Sequence, residues 1–202
     1  MQSFWDERFR TEDFIYGTEP NEFLVQESGR LPTGGSVLLP GDGEGRNGVW
    51  LAERGMTVLS VDGAASGTAK TLKLAAQRGV SLNAETADLT KWTWPEAAFD
   101  ALVLMFLHLP PSLRRSVHAK AAAALKPGGL ILLEAFRPAQ LGRTSGGPKD
   151  VALLYTPQDL KEDFAVLDIR LLEEAMTHLK EGTLHDGEAA TIRLIAYRPP
   201  ES

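Results

Sequence analysis

Three alternating glycines form the part of this sequence that is best suited to bind an anionic ligand. Gly41, Gly43 and Gly45 directly follow the apolar run Ser36–Pro40, and the next segment, Arg46–Arg54, has the apolar spacing of a helix. Glycine lets a chain turn sharply and lets a ligand approach the backbone, because it has no Cβ. The unpaired N–H groups at the start of a helix favour an anion. We therefore predict a nucleotide-type site after the first strand of an α/β sheet.

The same loop can be aligned in two ways, which predict different cofactors. From Gly43 onward the glycines match the dinucleotide pattern GxGxxG, and Asp62 follows Gly43 by 19 residues, as expected of a ribose-binding carboxylate in an NAD-dependent oxidoreductase. From Gly41 onward the loop continues the strand directly. Asp88 then comes just after the third predicted strand, in position to accept a hydrogen bond from an adenine amino group. A glycine-rich turn that binds no ligand is the third reading.

Histidines are the natural candidates for acid–base chemistry, because the pKa of imidazole lies near neutrality. His108 follows the fourth predicted strand, and we expect it to line the pocket at that edge of the sheet. His185 precedes the last predicted strand, either on the side of a substrate or as an ordinary turn residue. We expect His118 at the surface, because Arg114 and Arg115 accompany it on a predicted helix.

A long glycine-rich connection follows the fifth predicted strand. It runs from Arg137 to Asp150 and includes Arg143. Connections of more than about 12–15 residues in a compact domain are usually functional or disordered. The segment is therefore either a lid whose positive charges attract an anionic substrate or a mobile surface loop. No spacing of His, Asp and Glu in the sequence suggests a metal site.

The elements that must position these residues alternate between strands and helices, which predicts a parallel sheet covered on both faces. A polar turn, 181–188, separates the last two strands, so the sheet should end in an antiparallel hairpin. We predict an α/β fold with a Rossmann-like, seven-stranded, mostly parallel sheet. Its strands are expected at Ser36–Pro40, Thr57–Val61, Val80–Glu85, Ala101–Phe106, Leu130–Ala135, Phe164–Leu172 and Ala190–Tyr197, with helices at Arg46–Arg54, Ser66–Arg78 and Ser112–Leu125.

Composition narrows the class of protein. The 202 residues carry a net charge of −6 with no basic run, which argues against nucleic acid as the main partner. Cysteine is absent, so disulfides and thiolate chemistry are excluded. The first residues do not form a signal peptide, and no apolar run approaches the roughly 20 residues that span a bilayer. We expect a cytoplasmic protein of one domain over residues 1–202, with an aromatic-rich cap at 1–30 and a core at 36–202.

From residue 36 to its end the chain resembles the class I S-adenosylmethionine-dependent methyltransferases. The motifs that carry the resemblance fall in the order and spacing of that family, and are Gly41–Gly45, Asp62, Asp88–Leu89, Phe99–Phe106 and Leu125–Gly129. The N-terminal segment, with Trp5, Phe9, Tyr16, Gly17 and Pro20, is similar to the subgroup of tellurite-resistance and thiopurine methyltransferase-like proteins.

The resemblance implies a role for each matching position. The cofactor would be S-adenosylmethionine, the product S-adenosylhomocysteine and the acceptor a small molecule such as a thiol or a chalcogen anion. The methionine moiety would lie against Gly41, Asp42, Gly43 and Gly45, its carboxylate near Arg46, Tyr16 and Gly17, the ribose at Asp62 and Gly63, and the adenine at Asp88 and Leu89. Phe106 would border both compounds, and the acceptor side would include His108, Arg137, Arg143 and His185.

Two residues depart from the family pattern. Leu39 stands two positions before the first glycine, where an acidic residue is frequent, and Asp42 stands inside the loop. Asp42 either binds the cofactor's ammonium or repels its carboxylate. These departures leave open a non-catalytic cofactor-binding or interaction module on the same fold. We expect a monomer or a homodimer.

Overall fold

Short runs of leucine and valine build the centre of a seven-stranded sheet in the computed structural model, which describes residues 2–200. The strands are β1 (Ser36–Pro40), β2 (Thr57–Asp62), β3 (Asn83–Thr86), β4 (Phe99–Met105), β5 (Leu125–Phe136), β6 (Asp168–Lys180) and β7 (Asp186–Tyr197). The α-helices are α1 (Gln2–Arg8), α2 (Glu22–Glu27), α3 (Arg46–Glu53), α4 (Ala65–Arg78), α5 (Pro111–Ala124) and α6 (Pro157–Asp163).

The strand order is β3-β2-β1-β4-β5-β7-β6. Strands β1 to β5 pair in parallel, and β7 lies antiparallel between β5 and β6. Because β1 has β2 on one side and β4 on the other, the chain changes direction across the sheet at β1. Ligands of open α/β sheets bind at such a switch point, outside the carboxyl ends of the strands. The glycine loop follows β1 at this point.

Alternate residues of the central strands enter two separate hydrophobic cores, one on each face of the sheet. Leu38 and Leu102 pack with residues of α5 and α6, whereas Val37, Leu39 and Ala101 pack with α2 and α3. Leu39, at the position where the family frequently has an acidic residue, is 1% exposed. Apolar side chains on both faces explain why these strands are continuous hydrophobic runs.

The predicted fold class is confirmed, and the differences lie at the ends of strands and in the short helix α6. Strand β5 begins at Leu125 instead of Leu130, because Leu125 pairs with Phe99 before a bulge in the ladder. Strand β6 begins four residues later than predicted, because Phe164 closes α6 and is fully buried. We did not predict α6, although Thr156 and Asp159 form a capping box that begins it. Among the described residues, no helix is long and apolar enough to cross a membrane.

Candidate functional site

The glycine loop joins β1 to α3 at the carboxyl edge of the sheet. Gly41, Gly43 and Gly45 adopt φ angles of 72°, 62° and 86°. Gly45 is the N-cap of α3, and a Cβ at this position would lie 2.5 Å from Oγ1 of Thr71 on α4. Only glycine combines this left-handed conformation with such close packing. The loop is therefore a tight cradle whose backbone faces the switch point.

Asp62, the last residue of β2, is tied to the glycine loop. Its Oδ2 accepts a hydrogen bond from the N–H of Gly43 (2.9 Å), and its Oδ1 accepts one from the N–H of Ala64 (2.8 Å). Burial raises the pKa of Asp62, although these N–H groups favour the ionised form. Gly63 follows directly at the same edge. The structure thus brings together the loop and the carboxylate that the sequence predicts to bind ribose.

The predicted adenine contacts lie next to Asp62. The N–H of Ala87 donates to the carbonyl of Asp62 (2.8 Å), so the segment after β3 continues along the same edge. Asp88 accepts hydrogen bonds from Oγ1 (2.7 Å) and N–H (3.0 Å) of Thr90, and these bonds lower the pKa of Asp88. Leu89 is 8% exposed and packs into the core. Asp88 is therefore an ionised acceptor at this edge.

Asp42 is turned beneath the loop. Its Oδ2 accepts a hydrogen bond from Ser60 Oγ on β2 (3.1 Å), and its buried Oδ1 has no hydrogen-bond partner among the described residues. Burial raises the pKa of Asp42 to about 7. A contact with the cofactor's ammonium would require the side chain to turn away from Ser60.

The N-terminal segment crosses the site and is held to the loop by a buried ion pair. Glu44 accepts hydrogen bonds from the N–H groups of Ile15 (2.8 Å) and Tyr16 (3.3 Å), and Lys70 Nζ lies 2.7 Å from its other oxygen. The N–H of Thr183, in the β6–β7 turn, donates to the carbonyl of Ile15 (3.1 Å). Residues around Tyr16 and Gly17 therefore lie between the glycine loop and the C-terminal hairpin.

Arg46 and His185 meet at a carboxylate that sequence reasoning missed. Arg46 Nη2 lies 2.7 Å from Glu181 Oε2, and His185 Nδ1 lies 3.4 Å from the same oxygen. All three side chains are less than a tenth exposed. Burial alone would raise the pKa of Glu181, but its hydrogen bond to His185 and the charge of Arg46 lower it to about 2. The one available signal was that Glu181 precedes His185 by four residues across a predicted turn.

Aromatic rings surround His185 on several sides. The ring centroids of Tyr16, Phe106 and Phe136 lie 4.5, 4.7 and 5.3 Å from that of His185. Phe106, directly after β4, has a φ of 54°, which bulky residues rarely adopt. Backbone strain of this kind concentrates at functional sites. His185 therefore lies in an aromatic cluster at the carboxyl edge of β4, opposite the glycine loop.

Proteins similar in sequence to this chain are methyltransferases, in agreement with the geometry of the site. Residues 37–129 match the family described as "Methyltransferase domain". These residues form a methyltransferase domain. A curated relative, the 2-heptyl-1-hydroxyquinolin-4(1H)-one methyltransferase of Mycobacteroides abscessus, is 27% identical over 137 residues. That match covers 66% of this chain and 60% of the relative, so the chain spans about three fifths of the length of that protein.

Solved structures share the methyltransferase fold over almost the whole chain. One, from work on the conversion of a disulfide bond into a thioacetal group during echinomycin biosynthesis, is 19% identical with a TM-score of 0.79 and covers 100% of this chain and 94% of its own. TehB from Haemophilus influenzae is 17% identical with a TM-score of 0.72, over 98% of this chain and 66% of its own. Magnesium protoporphyrin IX methyltransferase from Synechocystis PCC 6803, solved with bound SAH, is 19% identical with a TM-score of 0.64, over 98% and 83%.

For residues 37–129 the predicted methyltransferase family is confirmed, and the glycine loop of this domain suits S-adenosylmethionine. A side chain at Gly45 would collide with Thr71, so glycine lets the loop pack closely against α4, and Asp62 and Asp88 present carboxylates along the same edge. These residues fit a nucleoside attached to an amino acid. Because identities below 25% show the fold alone, the similarity of the N-terminal segment to the tellurite-resistance subgroup stays a prediction.

Both ring nitrogens of His108 and one ring nitrogen of His118 contact other groups of the protein. His108 Nδ1 lies 2.7 Å from the carbonyl of Leu153, and its Nε2 accepts a hydrogen bond from the N–H of Phe136 (3.2 Å). Burial lowers the pKa of His108 to about 4, so the ring is neutral and both nitrogens are used. The prediction of a surface position for His118 is wrong, because it is 0% exposed and pairs with Asp163 (2.8 Å).

The connection after β5 is held to the hairpin. Gln140 is buried, accepts a hydrogen bond from the N–H of Ala190 (2.8 Å) and donates one to Ser145 Oγ (2.9 Å). Arg143 pairs with Glu188 on the surface (3.3 Å), and Arg137 approaches Glu174 (3.9 Å). The two arginines thus already face carboxylates of β6 and β7. Within residues 2–200, no cluster of side chains could hold a metal ion.

Proposed function

We propose that this protein transfers the methyl group of S-adenosylmethionine to a small-molecule acceptor beside His185. The observation that carries the proposal is the meeting of the two predicted sites at one sheet edge. Arg46, in the first turn after the glycine loop, contacts Glu181, and Glu181 contacts His185. A cofactor in the glycine cradle and an acceptor next to His185 would therefore be neighbours.

In this proposal the chain contributes mainly binding and orientation. Asp62 and Asp88 accept hydrogen bonds from the nucleoside, and the backbone around Gly43 faces the amino-acid part. When bound, the cofactor supplies an electrophilic methyl group on a good leaving group. Holding two reactants in line is worth an effective molarity on the order of 10⁵ M or more. The cap at residues 1–30 excludes water from the core of 36–202, because Tyr16 and Gly17 cross between the loop and the hairpin.

The acceptor that we propose is a compact nucleophile with an oxygen, sulfur or other chalcogen as its reacting atom. The relative in Mycobacteroides abscessus is named for a hydroxyquinolinone, and the structure with the TM-score of 0.79 belongs to work on a disulfide-to-thioacetal conversion. Aromatic rings from Tyr16, Phe106 and Phe136 favour an apolar or aromatic body for the acceptor. A thiol or a hydroxyl on an aromatic or aliphatic body satisfies both conditions, whereas a chalcogen anion satisfies only the first.

Calorimetry with S-adenosylhomocysteine and with NAD tests the cofactor site. We expect S-adenosylhomocysteine to bind and NAD not to bind. Asp62→Asn removes a charged hydrogen-bond acceptor and should weaken the binding of S-adenosylhomocysteine by roughly 10-fold or more. Glu173→Gln, an exposed change on β6, serves as the matched control and should bind normally. Binding of NAD alone would refute the proposal.

A turnover assay tests the enzyme itself and also the non-catalytic alternative. We would incubate the protein with S-adenosylmethionine and 2-heptyl-1-hydroxyquinolin-4(1H)-one, an aromatic thiol or tellurite, and detect S-adenosylhomocysteine. Methylation of one acceptor establishes the activity. Tight cofactor binding with no turnover across such a panel identifies a non-catalytic cofactor-binding module. Light scattering of the same sample tests the expected monomer or homodimer.

A further inference from the structure

The carboxylate of Glu181 contacts three hydrogen-bond donors on the proposed acceptor side of the site. Its Oε2 receives Arg46 Nη2 (2.7 Å) and faces His185 Nδ1 (3.4 Å), while its Oε1 receives Asn21 Nδ2 (3.2 Å). Glu181 and His185 face each other across the β6–β7 turn, where the N–H of Glu181 donates to the carbonyl of His185 (2.8 Å). The turn therefore fixes both side chains relative to each other.

This contact selects one tautomer of His185. An ionised carboxylate only accepts hydrogen bonds, so Nδ1 must carry the proton that points to Glu181. In the neutral ring, Nε2 is then left with a free lone pair. Burial lowers the pKa of His185, although Glu181 opposes the shift, so the ring is neutral near pH 7. Besides Glu181, the charged or titratable groups around the ring are Arg46, Glu134, His108 and Tyr16.

The residue beside the Nε2 edge of His185 in the connection after β5 is a glycine. Gly146, in the connection after β5, has a φ of 106°, and a Cβ there would lie 2.7 Å from Cδ2 and 3.2 Å from Nε2 of His185. The rings of Tyr16, Phe106 and Phe136 pack around the imidazole, and among the described residues only its Nδ1 is hydrogen-bonded. Glycine at position 146 thus leaves room beside the unprotonated nitrogen.

We propose that Glu181 is a positioning residue that holds His185 with Nε2 toward the methyl acceptor, and that Nε2 takes the acceptor's proton during methyl transfer. The inference rests on the proposed function. The acceptor is then a protic nucleophile, such as a thiol or an aromatic hydroxyl. Its lone pair forms the bond to the methyl carbon, the electron pair of the broken carbon–sulfur bond stays on sulfur, and the acceptor's proton moves to Nε2.

The remaining histidines cannot take this role. Both nitrogens of His108 are already hydrogen-bonded. His118 is buried between α5 and α6 beside Asp163, away from the glycine loop. His178 is exposed on the edge strand β6. His185 is thus the one histidine of the described chain that combines a neutral ring, a free nitrogen and a place in the aromatic cluster.

Long-range ¹H–¹⁵N spectra of the histidine rings test the positioning role without any substrate. At pH 7.5 we expect the wild-type His185 ring to be neutral, with the proton on Nδ1. Glu181→Asp keeps a charge for Arg46 but withdraws the carboxylate, and should populate the other tautomer. Glu173→Gln should leave the spectrum of His185 unchanged. A protonated ring, or a proton on Nε2 in the wild-type protein, would overturn the proposal even if the variants fail to fold.

Kinetics with two acceptors test the proton transfer. For an acceptor that is protonated at the assay pH, His185→Gln should lower kcat by roughly 10²–10⁴-fold. Glu181→Asp should lower kcat by a smaller factor. For a thiol that is already ionised, the losses should be small. Equal losses with both acceptors would overturn the proposal. If the wild-type protein methylates nothing and does not bind S-adenosylhomocysteine, the proposed function fails, whereas the ring spectrum still reports the positioning separately.

Discussion

Asp42 is a buried carboxyl whose pKa differs from the value that its residue type alone predicts. Within the part of the chain that the structure describes, its Oδ1 has no hydrogen-bond partner, its Oδ2 accepts a hydrogen bond from Ser60, and burial raises its pKa to about 7. A carboxyl that is partly protonated near neutral pH repels the cofactor's carboxylate less than an ionised one. Of the two roles considered for Asp42, repulsion of the cofactor's carboxylate is therefore less favoured than binding of its ammonium. The burial of Asp42 instead lowers the stability of the folded protein.

The change Asp42→Asn should make the protein more stable, and increasingly so as the pH rises from 4 to 7. An unfolded aspartate loses its proton near pH 3.9, whereas folded Asp42 keeps it until about pH 7. Between these values the wild-type unfolding free energy falls with pH, and the variant lacks this loss. Urea unfolding at pH 5 and pH 8 should show a gain that grows by about 1 kcal/mol or more.

Asp13→Asn, at an exposed position, is the matched control for this series. Its effect on the unfolding free energy should be small. A gain for Asp42→Asn that is the same at pH 5 and pH 8 would contradict the raised pKa of Asp42.

At the level of elements, the contact between the glycine loop and the N-terminal segment determines how the site is closed. Glu44 lies in the loop, yet its side chain binds the backbone of Ile15 and Tyr16 and the ammonium of Lys70 on α4. Glu44 is 2% exposed and Lys70 10% exposed at the side chain, so this ion pair is shielded from water. The glycine loop therefore both forms the proposed cofactor site and anchors the N-terminal cap.

Glu44→Gln should loosen the cap and destabilise the fold. Breaking a buried ion pair by removing one partner costs about 3–5 kcal/mol, because the other charge stays buried. Glu53→Gln on α3, which breaks the more exposed pair with Arg78 (3.7 Å), should cost no more than about 1 kcal/mol. Hydrogen exchange should rise across residues 9–17 in the first variant only. Equal unfolding free energies for the two variants would rule out the cap contact.

For the whole molecule, the histidines make stability sensitive to acid. His108, His118 and His185 all have lowered pKa values, chiefly because burial disfavours the charged ring. In the unfolded chain each histidine takes up a proton near pH 6.5. Below that pH the unfolded state binds protons that the folded state does not, and the unfolding free energy must fall. Asp42 and Asp62, whose pKa values are raised by burial, contribute in the opposite direction, with two groups against three.

We therefore expect the wild-type protein to lose stability between pH 7 and pH 5. His108 should contribute to this loss down to about pH 4, the value of its pKa in the folded protein. Urea unfolding over this range, with His178→Gln as an exposed control, measures the effect. A stability that is flat or rises on acidification would contradict this expectation.

Much of the fold and of the cofactor side could be predicted from sequence. Apolar runs such as Ser36–Pro40 and Thr57–Asp62 bury both faces of a parallel strand, and this leaves a pattern that is readable locally. The glycine loop and Asp62 also lie at fixed distances along the chain, because a strand–turn–helix unit is local. What could not be predicted was the length of the final hairpin and helix α6, whose borders depend on burial of Phe164.

The sequence by itself determined the sheet, the loop between β1 and α3, and the histidine that precedes β7. Only the tertiary structure decided which of these residues act together. Glu181 reaches Arg46 across 135 positions of the chain, and Asn21 reaches Glu134 across 113. A buried charge must find its partner wherever the fold brings one, so such pairs leave no local periodicity in the sequence. The proposed acceptor side of the site is built from these pairs, and for this reason its chemistry became visible only in three dimensions.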